Sequence, residues 1–314
     1  MTRSDVAITA TGVYLPRTTH TYETLPPLDH PLDPDQIDRL GVRERHWAQA
    51  DETVEYMAVQ AAQAVLTHAT LDPASIELLI LANWSQRRYI PDLAPKVAHQ
   101  LGAHHAAAFD IGCACAGFIY GLGIADSMLR TGRITRALVV SSDTSTQRIR
   151  PGSRASFIFA DAAAAMALQT DAPGSILIDY ELRTDNSQND LFNVTPDGHP
   201  TCRIPQRDLN AYAGRMLAQA ITAVLDRNSL TLDDIAWIVP HSGTAGVQAM
   251  LTQALGVPTT KILTNFPTVG NVASSSIPVA LHHFLTTGTI NPGDLVVSAS
   301  VGVGFFSAAA LYRI

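Results

Sequence analysis

The sequence predicts an α/β chain made of two stacked copies of one unit, a duplicated five-layer α/β/α/β/α body. Three observations predict it: short apolar runs alternate with segments of helical period, the same motifs return about half a chain later, and each copy finishes on an apolar run. LDPASIELLILAN, from Leu71, is echoed by LTLDDIAWIVPH, from Leu230, with Ile76 and Ile235 lying 159 positions apart. GRITRALVVSSD (132–143) is echoed by GTINPGDLVVSAS (288–300), with Leu138 and Leu295 157 apart. The closing runs are AAAAMALQ (162–169) and SAAALYRI (307–314).

The elements follow in order. Residues 53–68 place Val54, Met57, Ala58, Ala61, Ala62 and Val65 on one helical face. Ile76–Leu81 is almost continuously apolar, the pattern of a strand buried on both faces. A helix over 92–101, a strand Ala107–Ile111, a helix over 116–131 and a strand Ala137–Ser141 complete the first unit. The turn DAPGS (171–175) divides the chain into halves 1–174 and 175–314. The second half offers strands Ile176–Tyr180, Ile235–Val239, Ile262–Thr264 and Leu295–Ser300, with helices over 209–228, 245–255 and 275–287.

Composition narrows the function classes. With 314 residues, 46% hydrophobic and 16% charged, the chain can bury a large core and is not a disordered protein. No apolar run approaches the ~18 residues of a membrane span, and the first residues lack the basic-then-apolar pattern of a signal peptide. A net charge of -7 without a basic block argues against a nucleic-acid partner. Three cysteines are too few for a disulfide scaffold, and Cys-Ala-Cys without a neighbouring His or Cys set is a poor zinc site. The expectation is a reduced, cytoplasmic protein without membrane, nucleic acid or metal.

In α/β architectures ligands collect beyond the carboxyl ends of strands. Three segments lie there: Phe109–Phe118 (FDIGCACAGF), Ile238–Thr244 (IVPHSGT) and Val269–Pro278 (VGNVASSSIP). Cys115 stands at the start of a long helix, where free N–H groups and the dipole favour a thiolate. Subtracting 158 from Asn271 gives 113, so the turn at Asn271 is the symmetry mate of the turn at Cys115, and the two face each other across the central interface with His241 alongside. Each residue also has a plain reading: a small core thiol, a polar residue opening a helix, a turn amide. Their joint register favours a site.

These residues resemble the β-ketoacyl-acyl-carrier-protein synthase III family of the thiolase fold. The likeness runs from GVRERHWA (41–48) through DIGCACAGFIYGL, VVSSD, FADAAAA (159–165), DDIAWIVPH, GNVASSSIPVAL and INPGDLVV to GVGFFSAAALYRI (302–314), with 30 residues between His241 and Asn271. The resemblance implies that Cys115 accepts an acyl group from a thioester. The backbone N–H groups of Cys115 and Gly304 would form the oxyanion hole. His241 and Asn271 would stabilise the enolate left when a malonyl thioester loses carbon dioxide. It implies acyl-CoA or an acyl carrier protein as partners, no cofactor, and a homodimer in which a loop at Ile90-Pro91, with Phe305, borders the acyl pocket. Arg43, Arg45, Arg148, Arg150 and Arg154 are the candidate contacts for the carrier or coenzyme A.

Departures from the pattern point to a specialised relative in secondary metabolism. Ser242-Gly243-Thr244 replaces the usual Gln-Ala-Asn, Gln36 or Ile37 stands where an adenine-stacking tryptophan is expected, and FADAAAA replaces FGDGAGA. Two alternatives stay open: acyl transfer to an oxygen or nitrogen acceptor with His241 as general base, and a silent thiolase-fold partner subunit.

Overall fold

The computed structural model describes residues 5–88 and 90–314. Its strands follow one rule twice. In the first half Val6–Tyr14, Ala162–Thr170, Arg136–Asp143, Leu78–Ala82 and Ala107–Ile111 lie side by side in that order. In the second half the order is Ser175–Thr184, Phe306–Arg313, Leu295–Gly302 and Trp237–Pro240. Numbered by place in its own half, the first set reads first, fifth, fourth, second, third, and the second reads first, fourth, third, second, the same order without the first half's third strand. The two sets meet through a short antiparallel contact, Ala7 opposite Ile176 and Ile8 opposite Ser175.

The third strand expected at Ile262–Thr264 does not form as a strand. Ile262 makes only an isolated parallel bridge to Ile238. Pro258 and the short turn Thr259–Lys261 lead directly into it, and the helix Phe266–Val269 begins immediately beyond, so too little chain is left to extend the ladder. The opening strand Val6–Tyr14, unread in the sequence, is nine residues long and almost wholly buried. The remaining expected helices and strands stand within a few residues of their anticipated limits.

Burial sorts the chain into five layers. Helices Val54–His68 and Ala94–Leu101 cover the outer face of the first sheet through Met57, Ala61, Val65 and Val97. Gln206–Arg227 and Ala245–Leu255 cover the outer face of the second through Leu217, Ile221, Val224 and Leu251. Between the sheets lie Gly117–Arg130 and Ser276–Thr286, whose Phe118, Leu122, Ile277 and Leu281 share one cluster with residues from both halves. The middle helices are apolar on nearly every side because they have a sheet above and below them. Each begins at the seam between the halves, one just after Cys115 and the other just after Ser274. Among the described residues no helix is long and apolar enough to cross a membrane.

Candidate active site

The strand Ala107–Ile111 runs into a tight elbow. Cys113 (φ 67°) and Ala114 (φ 45°) both take left-handed backbone, Ala114–Ala116 forms one 3-10 turn, and the helix Gly117–Arg130 follows without a break. Two successive non-glycine residues in that region cost free energy and are held only where the surroundings insist. The insistence comes from both halves. A Cβ on Gly117 would stand 2.6 Å from the Gly112 carbonyl oxygen, and one on Gly302 would stand 2.7 Å from the Cys113 oxygen and 3.0 Å from the Cys115 nitrogen. From the second half, Ser300 Oγ donates to the Cys115 carbonyl at 2.7 Å.

The other two residues approach from that same half. His241 follows Trp237–Pro240, and its N–H donates to the carbonyl of Ala299, the neighbour of Ser300, at 2.8 Å. Asn271 Nδ2 donates to the Gly243 carbonyl at 3.0 Å, and its Oδ1 accepts the Ala273 N–H at 3.0 Å. The amide is therefore oriented, and Nδ2 keeps a second hydrogen for a ligand. Asn271 is also stitched to the first half. Its N–H donates to Ile158 and its carbonyl accepts from Ala160, both at 2.9 Å. This is the structural use of the FADAAAA segment, whose Asp161 holds the Ala48 and Thr146 amides at 2.8 and 2.9 Å. Cys115, His241 and Asn271 thus converge on one seam.

Burial sets their ionisation. His241 is 3% exposed, and desolvation pushes its imidazole down to about 4, so it is neutral at pH 7. Its Nδ1 has no hydrogen-bond partner among the described residues. Cys115 is half-buried. Its thiol is pushed up to about 12 by desolvation first and then by the Asp143 carboxylate, against the opposing help of its own backbone N–H. This corrects the expectation from the helix start. Enclosure and a neighbouring anion oppose the help expected from the helix start and favour the thiol form of Cys115.

Other expected residues divide. Ile90 is 88% exposed and Pro91 is exposed on the loop before the helix Ala94–Leu101. Phe305 does not face an acyl pocket: it is buried under the helix Gln206–Arg227, edge-on to Tyr212 at 4.8 Å, because the turn before the last strand sends its side chain into the second-half core. Arg45 is no carrier contact either. It is fully buried, with its guanidinium over the Phe157 ring at 4.3 Å, and desolvation lowers it to about 10. Arg43, Arg148, Arg150 and Arg154 are exposed. The Arg148 guanidinium donates to the Ser85 carbonyl, and Arg150 is bonded to Asp29 at 2.6 Å. Gly304 is partly exposed in the turn between the last two strands. Reading the sequence missed Asp143, Ser274 and Ser300. The half-chain offset could have found Ser274 and Ser300, since 115 + 159 = 274 and 141 + 159 = 300, but not Asp143, whose counterpart is Gly302.

With this geometry in hand, the comparisons with known proteins are decisive. Residues 109–186 match the family model of 3-oxoacyl-[acyl-carrier-protein (ACP)] synthase III, and residues 225–314 match that of its C-terminal part. A curated relative from Erythrobacter litoralis, a beta-ketoacyl-[acyl-carrier-protein] synthase III, is 34% identical and covers 98% of both chains. The chain belongs to the 3-oxoacyl-[acyl-carrier-protein] synthase III family.

Solved synthase III structures agree. That of the Aquifex aeolicus enzyme superposes with a TM-score of 0.91 at 30% identity, covering 98% of this chain and 100% of that one. The priming β-ketosynthase of the R1128 polyketide pathway gives 0.89 at 27% identity, covering 99% and 97%. The fold is the thiolase fold, and the chain is an acyl-thioester-dependent condensing ketosynthase, an acyltransferase by class.

Proposed function

We propose that the chain forms an S-acyl enzyme on Cys115 and condenses that acyl group with a malonyl-type thioester. The observation that carries this reading is the seam where one half supplies the thiol and the other supplies a neutral imidazole and an oriented carboxamide. Cys115 Sγ attacks the thioester carbonyl, the new S–C bond replaces the old one, and the departing thiolate takes the thiol proton. The Cys115 N–H and an N–H of the Gly302–Gly304 turn, with Gly304 the family's matching position, would receive the oxyanion. In the second step the malonyl carboxylate leaves as carbon dioxide and its electron pair moves into the thioester carbonyl as an enolate. A neutral His241 and Asn271 Nδ2 are donors suited to that oxygen. The enolate carbon then attacks the acyl carbonyl, the S–C bond to Cys115 breaks, and the released Cys115 thiolate takes one proton from water.

The reading requires no cofactor and no metal, only acyl-CoA or an acyl carrier protein, and it suits an enzyme of secondary metabolism working in the cytoplasm. It also includes a homodimer. Ala107–Ile111 lies at the sheet edge, paired on one side only, with Ala107 exposed and the rest half-buried, and such an edge invites a second copy. That copy would bring the Ile90-Pro91 loop to the acyl pocket, and exposed Arg43 and Arg154 remain available to an acidic carrier. Retention of Asn271 favours condensation over transfer to an oxygen or nitrogen acceptor, which needs no enolate-stabilising amide. Intact-mass analysis with a panel of acyl-CoA thioesters tests the first step. An adduct on the wild type that vanishes in Cys115→Ala is expected, and no adduct from any thioester would leave a silent partner subunit instead.

A further inference from the structure

Among the described residues four buried polar side-chain atoms have no hydrogen-bond partner: Arg45 Nε, Trp84 Nε1, Ser145 Oγ and His241 Nδ1. Folded proteins leave few such atoms, and each calls for a reason. The Arg45 guanidinium is stacked on the Phe157 ring. The other three residues each follow the carboxyl end of a strand, Leu78–Ala82, Arg136–Asp143 and Trp237–Pro240. His241 already belongs to the site, and Trp84 and Ser145 are tied to the same seam. On these two first-half strands alternate side chains face the middle helices. Ala82 meets Gly117, the first residue of the helix after Cys115, while Ser141 and Asp143 bond Ser275 and Ser274. Trp84 and Ser145 stand two residues beyond Ala82 and Asp143. The Asn83 N–H donates to the carbonyl of Ile111, where the strand leading to Cys115 ends, at 3.2 Å. The Trp84 and Ser85 amides donate to Asp143 Oδ1 at 2.9 and 3.2 Å, and the Thr144 N–H to Ser85 Oγ at 2.9 Å. Ser145 is fully buried, and Trp84 is half-buried with its Nε1 covered.

We propose that Trp84 Nε1 and Ser145 Oγ are specificity-determining contacts for an oxygen carried on the acyl group, so that the chain selects hydroxyacyl or oxoacyl thioesters over plain alkanoyl ones. This rests on the reading that Cys115 takes up an acyl group. A wall for a bare alkyl chain has no use for two desolvated polar atoms. The indole N–H only donates and the hydroxyl donates or accepts, so their common partner must offer a lone pair, as a hydroxyl or a ketone does. A carboxylate offers one too, but Asp143 stands against Trp84 and its bonding partners are all neutral donors. A second anion beside it would be repelled, which leaves a neutral oxygen. An alkyl group in the same place would keep both atoms buried and unpaired, and a site of that kind rejects the analogue lacking the oxygen.

The test is the rate of S-acylation at Cys115, followed by intact mass, with butyryl-, 3-hydroxybutyryl-, 4-hydroxybutyryl- and acetoacetyl-CoA, which share one chain length. In the wild type at least one oxygenated thioester should react about tenfold faster than butyryl-CoA, or more. Trp84→Phe keeps an aromatic ring and removes the N–H, and Ser145→Ala removes the hydroxyl. Each should lower that preference by roughly five- to tenfold and leave the butyryl rate within about twofold. Intrinsic thioester reactivity cancels in the comparison of variant with wild type. Butyryl-CoA acylating Cys115 as fast as every oxygenated thioester overturns the proposal and leaves the reading of the reaction standing. So does a preference that either folded variant leaves unchanged. If neither variant folds, the wild-type ratio decides alone. No adduct from any thioester sinks the reading of the reaction, and the proposal with it.

Discussion

Residues 112–117 and 271–276 lay the same turn-into-helix elbow on either side of one seam, yet only the first presents a thiol. Cys115 and Ser274 hold equivalent places, and the difference begins one strand away. Behind Cys115 stands Gly302, whose missing side chain lets the elbow of the opposite half press close. Behind Ser274 stands Asp143, which engages the hydroxyl at 2.6 Å. Ser141 and Ser300, also a matched pair, each grip the opposite elbow, Ser141 taking the Ser275 hydroxyl at 3.0 Å and Ser300 the Cys115 carbonyl at 2.7 Å. A duplicated scaffold supplies two similar elbows. Chemistry is assigned to one of them by a few side chains that break the symmetry, while Asn271 converts the second elbow into a donor.

Making the elbows more alike should abolish function in graded steps. Cys115→Ala removes the nucleophile, and turnover should fall by on the order of 10⁴-fold or more, with no acyl adduct by mass. Asn271→Ala should leave S-acylation intact and slow decarboxylation of a malonyl thioester by on the order of 10²-fold, the usual cost of losing one donor to a developing oxyanion. Gly302→Ala puts a methyl group 2.7 Å from the Cys113 oxygen. Overpacking of about 1–3 kcal/mol should lower the thermal midpoint by several degrees and slow acylation as the elbow shifts. Ser300→Ala removes one neutral hydrogen bond behind Cys115, worth about 1 kcal/mol, and should slow acylation by less than about tenfold.

The smallest effect is a pH response. Because His241 is held below its ordinary value, the stability it contributes is fully present above about pH 6.5 and is lost as pH falls through about 4. Its imidazole resonances should not move between pH 5 and 8. A midpoint near 6.5 would mean that the ring is solvated and that the seam is open around it.

The layers were legible in the sequence because burial imposes period. Val54, Met57, Ala58, Ala61, Ala62 and Val65 mark a helix against a sheet, and all six are buried. Cys115 and His241 were legible because each follows a strand, and Asn271 because half-chain repetition pairs its turn with that of Cys115. The strand expected around Ile262 was misread because an apolar triplet does not say how much chain remains to pair. Phe305 and Arg45 were misplaced for a related reason. The turn before the last strand sends Phe305 into the core against Tyr212, and Arg45 finds Phe157, residues apart in sequence and in contact only after folding. The protonation of Cys115 was hidden for the same cause, since it depends on enclosure and on Asp143, a residue from another strand.

The most direct measurement is a chase. Wild-type protein acylated on Cys115 is mixed with a malonyl thioester carrying a labelled carboxylate, and label release is followed together with the mass of the enzyme. The account predicts that labelled carbon dioxide and a β-ketoacyl thioester appear as the adduct disappears, and that Asn271→Ala retains the adduct. Loss of the adduct to an amine or alcohol acceptor, with the labelled carboxylate intact, would contradict it.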